Sequence, residues 1–327
     1  MKNVNYISHY ESERKKINTI LSTAFKNRTP GSLYEPGSYI LNSGGKRLRP
    51  LLVLLTAKAV GGRFTNAYNS AAAVEMLHNF TLVHDDIMDN ADKRRGRLTL
   101  HKKYDNNTAI LVGDSLLSIA YEYLLKDCNG NAKQVISAFT KGLIEVCEGQ
   151  SLDTDFESRK NVSLSEYIVM IKKKTAAMAE MCCRIGALLG GGSKSQVNAL
   201  GSYGSNLGIA FQIQDDLLDI SADEEKFGKT IGGDLVEGKK TFLFLEALEK
   251  SKGEQRKKLL KVIERKGIRR NQVLTYKKIY EELGVLDDAR KEIRSYTNKA
   301  LKSINLLDEE NKKIFHWLAD SLIHRTS

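Results

Sequence analysis

The sequence predicts an all-α protein, and three observations carry that prediction. Proline occurs only at Pro30, Pro36 and Pro50, so the 277 residues from 51 to 327 contain none. Because proline costs about 3 kcal/mol inside a helix and is common in loops and at sheet edges, its absence over that length favours continuous helix. Apolar residues recur at helical spacing, and no strand-like alternation bounded by hairpin turns competes with them. Glycine clusters at 44–45, 61–62, 190–192 and 232–233 supply natural helix ends. The composition, 41% hydrophobic and 28% charged, is that of a soluble globular chain able to bury a sizeable core. No internal repeat or low-complexity linker divides it, so residues 1–327 are expected to form a single helical domain.

Taken in order, the first sixteen residues lack the apolar segment of a secretory signal, so none is expected. The strongly apolar run Leu51–Leu55 meets Lys58 far short of the roughly 18 residues a membrane span needs, so no span is expected either. A helix is predicted from about 67 to 90. Ser163 and Glu166 have the spacing of a capping box, and the periodic segment 167–189 after it runs into three glycines. A third long helix is predicted from about 197 to 220. Cys128, Cys147, Cys182 and Cys183 show no metal-binding spacing and read as reduced thiols of a cytoplasmic protein.

The net charge of +11 invites a nucleic-acid or membrane partner, but seven of those charges sit between Lys252 and Arg270. Interspersed Leu259, Leu260, Val262 and Ile263 make that segment a solvated amphipathic helix and its turn, so no nucleic-acid partner is expected.

The chemistry lies in a duplication. Asp85, Asp86 and Asp89 form one DDxxD cluster and Asp215, Asp216 and Asp219 a second, each near the end of an apolar helical segment. Residues four apart share a helix face, so Asp85 with Asp89, and Asp215 with Asp219, each make a two-pronged carboxylate claw. With 18 Asp in the chain, one such match arises by chance about 0.05 times, and two far more rarely. Acids at a helix C-terminus oppose the macrodipole, a cost of about 0.3–1 kcal/mol per charge that a cation offsets. Carboxylates at this spacing suit Mg²⁺, which binds one or two carboxylates plus substrate phosphates, whereas zinc recruits His or Cys. Basic residues border the first claw: Lys46 and Arg49 follow a Gly-Gly turn, and Arg94 and Arg95 follow Asp89. Arginine forks match phosphate oxygens and lysine supplies a point charge. His78 lies seven residues before Asp85, nearly two helical turns, so it faces the same side.

Together these motifs resemble the trans-isoprenyl diphosphate synthases of the polyprenyl synthetase family, most closely the short-chain geranylgeranyl and farnesyl diphosphate synthases. The resemblance runs in order through GGKRLRP (44–50), HNFTLVHDDIMDNADKRRG (78–96), VGDSLL (112–117), KKT (173–175), GIAFQIQDDLLD (208–219) and GKTIGGDLVEGKKT (228–241). It implies the isoprenoid synthase fold, a helical bundle around a central cavity with the aspartate motifs facing each other at its mouth, as a homodimer. It implies head-to-tail condensation of an allylic diphosphate with isopentenyl diphosphate and release of pyrophosphate. Lys46, Arg49, His78 and Arg95 then bind isopentenyl diphosphate. Arg94, Lys174, Thr175, Gln212, Lys229 and Lys239 serve the allylic diphosphate. About three Mg²⁺ are held by Asp85, Asp89 and Asp215, with Asp86 and Asp219 assisting, and Lys174, Thr175, Gln212, Asp85 and Asp215 form the catalytic set. Phe80, five residues before Asp85, with Thr81 beside it, sets chain length. A lone aromatic there points to a C20 product, with C15 or a longer chain as the alternative. Leu98 and Leu243 stand where the family commonly has proline.

Two other readings fit less well. A terpene cyclase normally carries a different second metal motif and needs no isopentenyl site. A silent regulatory subunit of a heteromeric synthase typically loses one aspartate cluster.

Overall fold

The computed structural model describes residues 2–221 and 231–323. The chain packs as two compact units, one of residues 1–140 and 181–200, the other of 141–180 and 201–327. Helices dominate both, and the strands among the described residues are one two-stranded hairpin.

The first unit contains α1 (Lys2–Thr23), α2 (Gly31–Leu41), α3 (Leu48–Ala59), α4 (Tyr68–Met88), the hairpin β1 (Lys93–Arg94) and β2 (Arg97–Leu98), α5 (Leu100–Lys103) and α6 (Asn106–Lys126). Part of α7 (Ala132–Ser158) also belongs to it. Pro30 precedes α2 and Pro50 sits in the first turn of α3, where no hydrogen bond is lost, whereas Pro36 lies inside α2. In α3 the residues from Pro50 to Ala57 are all buried, the pattern of a helix covered on every side. The first half of α4 is equally buried and rich in alanine, and its main neighbour is α6. Where the two cross, a Cβ on Gly113 would come within 2.3 Å of His84 Nε2, so only glycine admits that ring.

By length and composition α6 is apolar enough to cross a membrane, a feature hidden in the sequence by its interspersed polar residues. Its Ala109, Val112, Leu116, Ile119, Ala120 and Leu124 are buried in the unit, as in a core helix.

The second unit takes in the rest of α7 and then α8 (Leu164–Ile171), a π-helical turn (Lys172–Ala176) and the start of α9 (Ala177–Leu189). The expected capping box is present, with Ser163 and Glu166 each bonding the other's backbone N–H. The π turn was not legible in the periodicity. Most of α10 (Lys194–Ser221) follows, then α11 (Gly233–Glu237), α12 (Phe242–Lys250), α13 (Gly253–Arg265), α14 (Val273–Glu282), α15 (Val285–Ser303) and α16 (Glu309–Ile323). Tyr203 anchors the core, its ring edge-on to Phe315 at 4.9 Å and its hydroxyl donating to the Phe315 carbonyl at 2.8 Å. The basic segment forms α13, with Leu259 and Val262 buried and most of its lysines exposed. Leu243 is buried in the first turn of α12, where a proline would also fit, and Leu98 is exposed on β2.

Candidate active site

In the first unit the last turn of α4 carries the first aspartate cluster. Asp85 is half-buried and Asp89, the helix C-cap, is exposed, so the two share an outward face. Asp86 lies about 100° round the helix, is only 3% exposed, and accepts a 2.7 Å bond from Arg94 Nε. Burial raises the Asp86 pKa against the opposing pull of Arg94. This pair engages two residues that the sequence assigned separately, one to metal and one to the allylic diphosphate.

Arg95 and Gly96 form the two-residue turn between β1 and β2, both at positive φ (53° and 75°), the backbone twist that closes a tight hairpin. That turn aims Arg95 at the glycine loop before α3, where its guanidinium donates to the Gly44 carbonyl. Gly45 lies beneath it at φ 137°, and a Cβ there would stand 2.9 Å from Arg95 Nη1. Gly45→Ala is therefore expected to displace Arg95 and raise the KM for a diphosphate bound there about tenfold. Steady-state kinetics check this, and an unchanged KM would contradict the geometry.

Lys46, on the same loop, is exposed, and Arg49 on α3 places Nη1 3.3 Å from His78 Nε2 on α4. All four residues assigned to isopentenyl diphosphate thus belong to this loop, its partner hairpin and the adjoining faces of α3 and α4. Burial, followed by Arg49, Arg95, Arg94 and Arg47, drives the His78 pKa well below its ordinary 6.5. His78 stays neutral at physiological pH. Below about pH 6.5 the unfolded chain takes up a proton that the folded chain refuses, so the histidine costs stability as the pH falls. Relative to His78→Gln, the wild type is expected to lose stability progressively as the pH falls below 6.5, as read by denaturant unfolding at pH 7.5, 6.0 and 5.0. Parallel stability curves would refute the assignment.

Phe80 is half-buried, with its ring edge-on to His84 at 4.6 Å. The Thr81 hydroxyl donates back to the His78 carbonyl at 2.9 Å.

In the second unit the π turn holds Lys174 and Thr175. A π turn inserts a residue into the helical ladder and often marks a functional site. Its neighbours approach closely: a Cβ on Gly149 of α7 would lie 2.1 Å from Lys174 N, and one on Gly208 of α10 2.6 Å from the Ala176 Cα. Lys174 Nζ contacts Asp153 Oδ2 at 2.5 Å. The Thr175 hydroxyl donates to Gln212 Oε1 at 2.9 Å, and Gln212 Nε2 donates to Asp216 Oδ1 at 3.1 Å. Asp216 also accepts from the Tyr167 hydroxyl at 2.5 Å and the Phe242 amide at 2.9 Å, and burial pushes its pKa up to about 6.

Asp219 accepts the Gly233 and Asp234 amides at 3.2 and 3.1 Å, at the start of α11. Burial and the charges of Asp219 and Asp216 push Asp234 up to about 7. Lys239 pairs with Glu237 at 2.6 Å and approaches Asp234 at 3.9 Å. Asp215 is half-buried on α10. Lys229 lies outside the described residues.

Sequence reasoning gave no role to Asp216, Asp234, Tyr167 or Asp153. Asp216 and Asp234 lie within quoted motifs, but no spacing marks their function. Tyr167 and Asp153 become visible only through tertiary contacts.

The donor set fits magnesium. It is all carboxylate oxygen, and burial, with the neighbouring charges of Asp219 and Asp216 adding to it, raises Asp234, an arrangement whose negative charge a hard cation relieves. Among the described residues no three His, Cys, Asp or Glu side chains form a ready-made metal cage.

Comparison with known proteins agrees with this chemistry. The sequence profile of the Polyprenyl synthetase family matches residues 30–283. A geranylgeranyl diphosphate synthase of Sulfolobus acidocaldarius is 37% identical, over 98% of this chain and 99% of that protein. A geranylfarnesyl diphosphate synthase of Natronomonas pharaonis is 34% identical over the whole of both chains. The crystal structure of a geranylgeranyl pyrophosphate synthetase from Pyrococcus horikoshii superposes with a TM-score of 0.92 at 33% identity, covering 99% of this chain and all of that one.

Proposed function

The chain belongs to the polyprenyl synthetase family and is a trans-prenyltransferase, and on that premise we propose that it condenses an allylic diphosphate with isopentenyl diphosphate head to tail, chiefly to geranylgeranyl diphosphate. The observation that supports this reading is a basic cluster beside the glycine loop, where Arg49 meets His78 and Arg95 meets Gly44, with His78 roughly 10 Å along α4 from Asp85; we read it as a second anion site. An enzyme that only rearranges one prenyl diphosphate has no use for a second anion site.

In this proposal residues 1–327 act as one catalytic domain, and both aspartate clusters serve the ionisation of the allylic substrate. Asp85, Asp89 and Asp215 hold about three Mg²⁺, with Asp86 and Asp219 assisting. Bound magnesium supplies Lewis-acid neutralisation of the diphosphate leaving group. Lys174, with Arg94, Lys229 and Lys239, grips the allylic diphosphate as its C1–O bond breaks. Thr175 and Gln212 are hydrogen-bonded to each other, and the Gln212 amide is oriented by its bond to Asp216. Their oxygens therefore present fixed dipoles to the carbocation without reorganising during the reaction. Lys46, Arg49, His78 and Arg95 hold isopentenyl diphosphate so that its double bond attacks C1. The departing pyrophosphate accepts the proton lost from the resulting cation, so neutral His78 is not asked to act as a base. Holding the two substrates in line contributes up to about 7–11 kcal/mol through proximity.

The C20 assignment rests on Phe80 as the floor of the chain-length pocket and on the relative named for geranylgeranyl diphosphate. The relative named for geranylfarnesyl diphosphate favours a longer, C25 product as the second reading. Exposed Ile110, Leu111 and Leu125 on α6 support a homodimer built on that helix, in a cytoplasmic enzyme. Chromatography of products from dimethylallyl, geranyl and farnesyl diphosphate, each with labelled isopentenyl diphosphate and Mg²⁺, tests the proposal. A dominant C20 product from all three primers supports it; a dominant C15 or C25 product overturns the length assignment.

A further inference from the structure

Between the two cations assigned to isopentenyl diphosphate sits a third that points the other way. Arg47 has a left-handed backbone, φ 52° and ψ 35°, and its side chain is 2% exposed. The guanidinium donates to three helices at once. Nε reaches Asn18 Oδ1 of α1 at 2.9 Å, Nη1 reaches Glu75 Oε1 of α4 at 2.6 Å, and Nη2 reaches the Leu41 carbonyl at the end of α2 at 2.9 Å. Glu75 is equally buried and lies one helical turn before His78 on the same helix. The Tyr10 hydroxyl of α1 donates to the carbonyl of Lys46, the residue preceding Arg47. The loop before α3 is thus bolted to three helices by its one buried side chain, while Lys46 and Arg49 on either side of it carry charge toward the anion site.

We propose that Arg47 and Glu75 form a positioning pair that fixes the placement of Lys46 and Arg49 relative to His78, and so sets affinity for isopentenyl diphosphate without touching it. This inference rests on the reaction proposed above. The planar guanidinium supplies three divergent donors in fixed geometry, which a lysine ammonium on a flexible stem does not reproduce. The left-handed backbone at Arg47 turns its side chain inward between two residues of the same charge, and a non-glycine residue there persists because the surrounding bonds hold it. Glu75 also carries the negative potential felt by Arg49 and Arg95, so one buried carboxylate tempers the repulsion among three arginines. The positive charge left over is what a diphosphate neutralises on binding.

The test compares wild type, Arg47→Lys, Asn18→Ala and the paired Arg47→Met/Glu75→Leu. The paired variant removes both buried charges together, so its fold does not suffer an orphaned ion. Steady-state kinetics are measured for each substrate, and the Kd for isopentenyl diphosphate and for inorganic pyrophosphate by titration calorimetry. The expected result for Arg47→Lys and for the paired variant is a rise of about tenfold or more in KM and Kd for isopentenyl diphosphate. The allylic KM should stay within about twofold, and kcat at saturating isopentenyl diphosphate within about threefold. Asn18→Ala, which loses one bond and no charge, is expected to show the same selective rise at about two- to fivefold, and it keeps the test open if the paired variant fails to fold. An unchanged isopentenyl KM in folded variants overturns the inference. So does a parallel loss in both KM values and in kcat, which marks a merely structural role. If wild type binds isopentenyl diphosphate but turns over no allylic partner, the proposed reaction fails, and the Kd comparison still decides the role of the pair.

Discussion

Asp85→Ala is expected to lower turnover roughly 10³-fold, the upper end of the cost of deleting one electrostatic stabiliser of a developing leaving group. The loss should fall on kcat more than on the KM for either substrate, because the carboxylate acts as the C1–O bond breaks and charge builds on the diphosphate. Asp215→Ala is expected to act alike, and the double variant to lie within about tenfold of the worse single one, since residues serving one step are not additive. The same substitution should spare the fold. Asp85 stands in the last turn of α4, where a negative charge opposes the helix dipole. Its removal therefore leaves stability unchanged or raises it by about 0.3–1 kcal/mol in Mg²⁺-free buffer. Loss of activity without loss of Tm distinguishes a ligand from a packing residue. Wild-type turnover in Asp85→Ala would sink the metal assignment.

Phe80→Ala is expected to lengthen the main product from C20 to C25 or beyond. The ring lies about 1.4 turns before Asp85, about 7.5 Å along the helix axis. It is held edge-on against His84, which packs in turn on the bare backbone of Gly113. Because the ring is only half-buried, its truncation stays below the about 3–5 kcal/mol that deleting a fully buried Phe costs. The enzyme should stay folded and change its product. Chromatography of the extended chains checks this, and a product spectrum identical to wild type would remove Phe80 from length control.

How much of this was legible in the sequence depends on how local each cause is. The long helices announce themselves because their signals are local. The capping box at Ser163 and Glu166 and the three glycines from 190 end the predicted 167–189 segment as expected. The helices predicted at 67–90 and 197–220 appear as Tyr68–Met88 and Lys194–Ser221. The π turn at Lys172–Ala176 escaped because five residues between two helices of the same face leave no distinct periodicity. The carboxylate faces were half legible. Spacing of four pairs Asp85 with Asp89 and Asp215 with Asp219 but is silent about Asp86, whose partner Arg94 depends on a hairpin fold, and about the amides that donate to Asp219 from fourteen and fifteen residues away. Arg47 is the sharpest case. In sequence it is one more cation in GGKRLRP, and only its bonds to Asn18, Leu41 and Glu75 separate it from Lys46 and Arg49.

The central claim, head-to-tail prenyl transfer requiring both anion sites, is tested most directly by the stoichiometry of pyrophosphate release. Purified protein is incubated with geranyl diphosphate and Mg²⁺, with and without labelled isopentenyl diphosphate, and released pyrophosphate is counted against incorporated label. One pyrophosphate per isopentenyl unit incorporated, with negligible release when isopentenyl diphosphate is omitted, is the predicted result. Release that does not depend on isopentenyl diphosphate, or no incorporation at all, would contradict it.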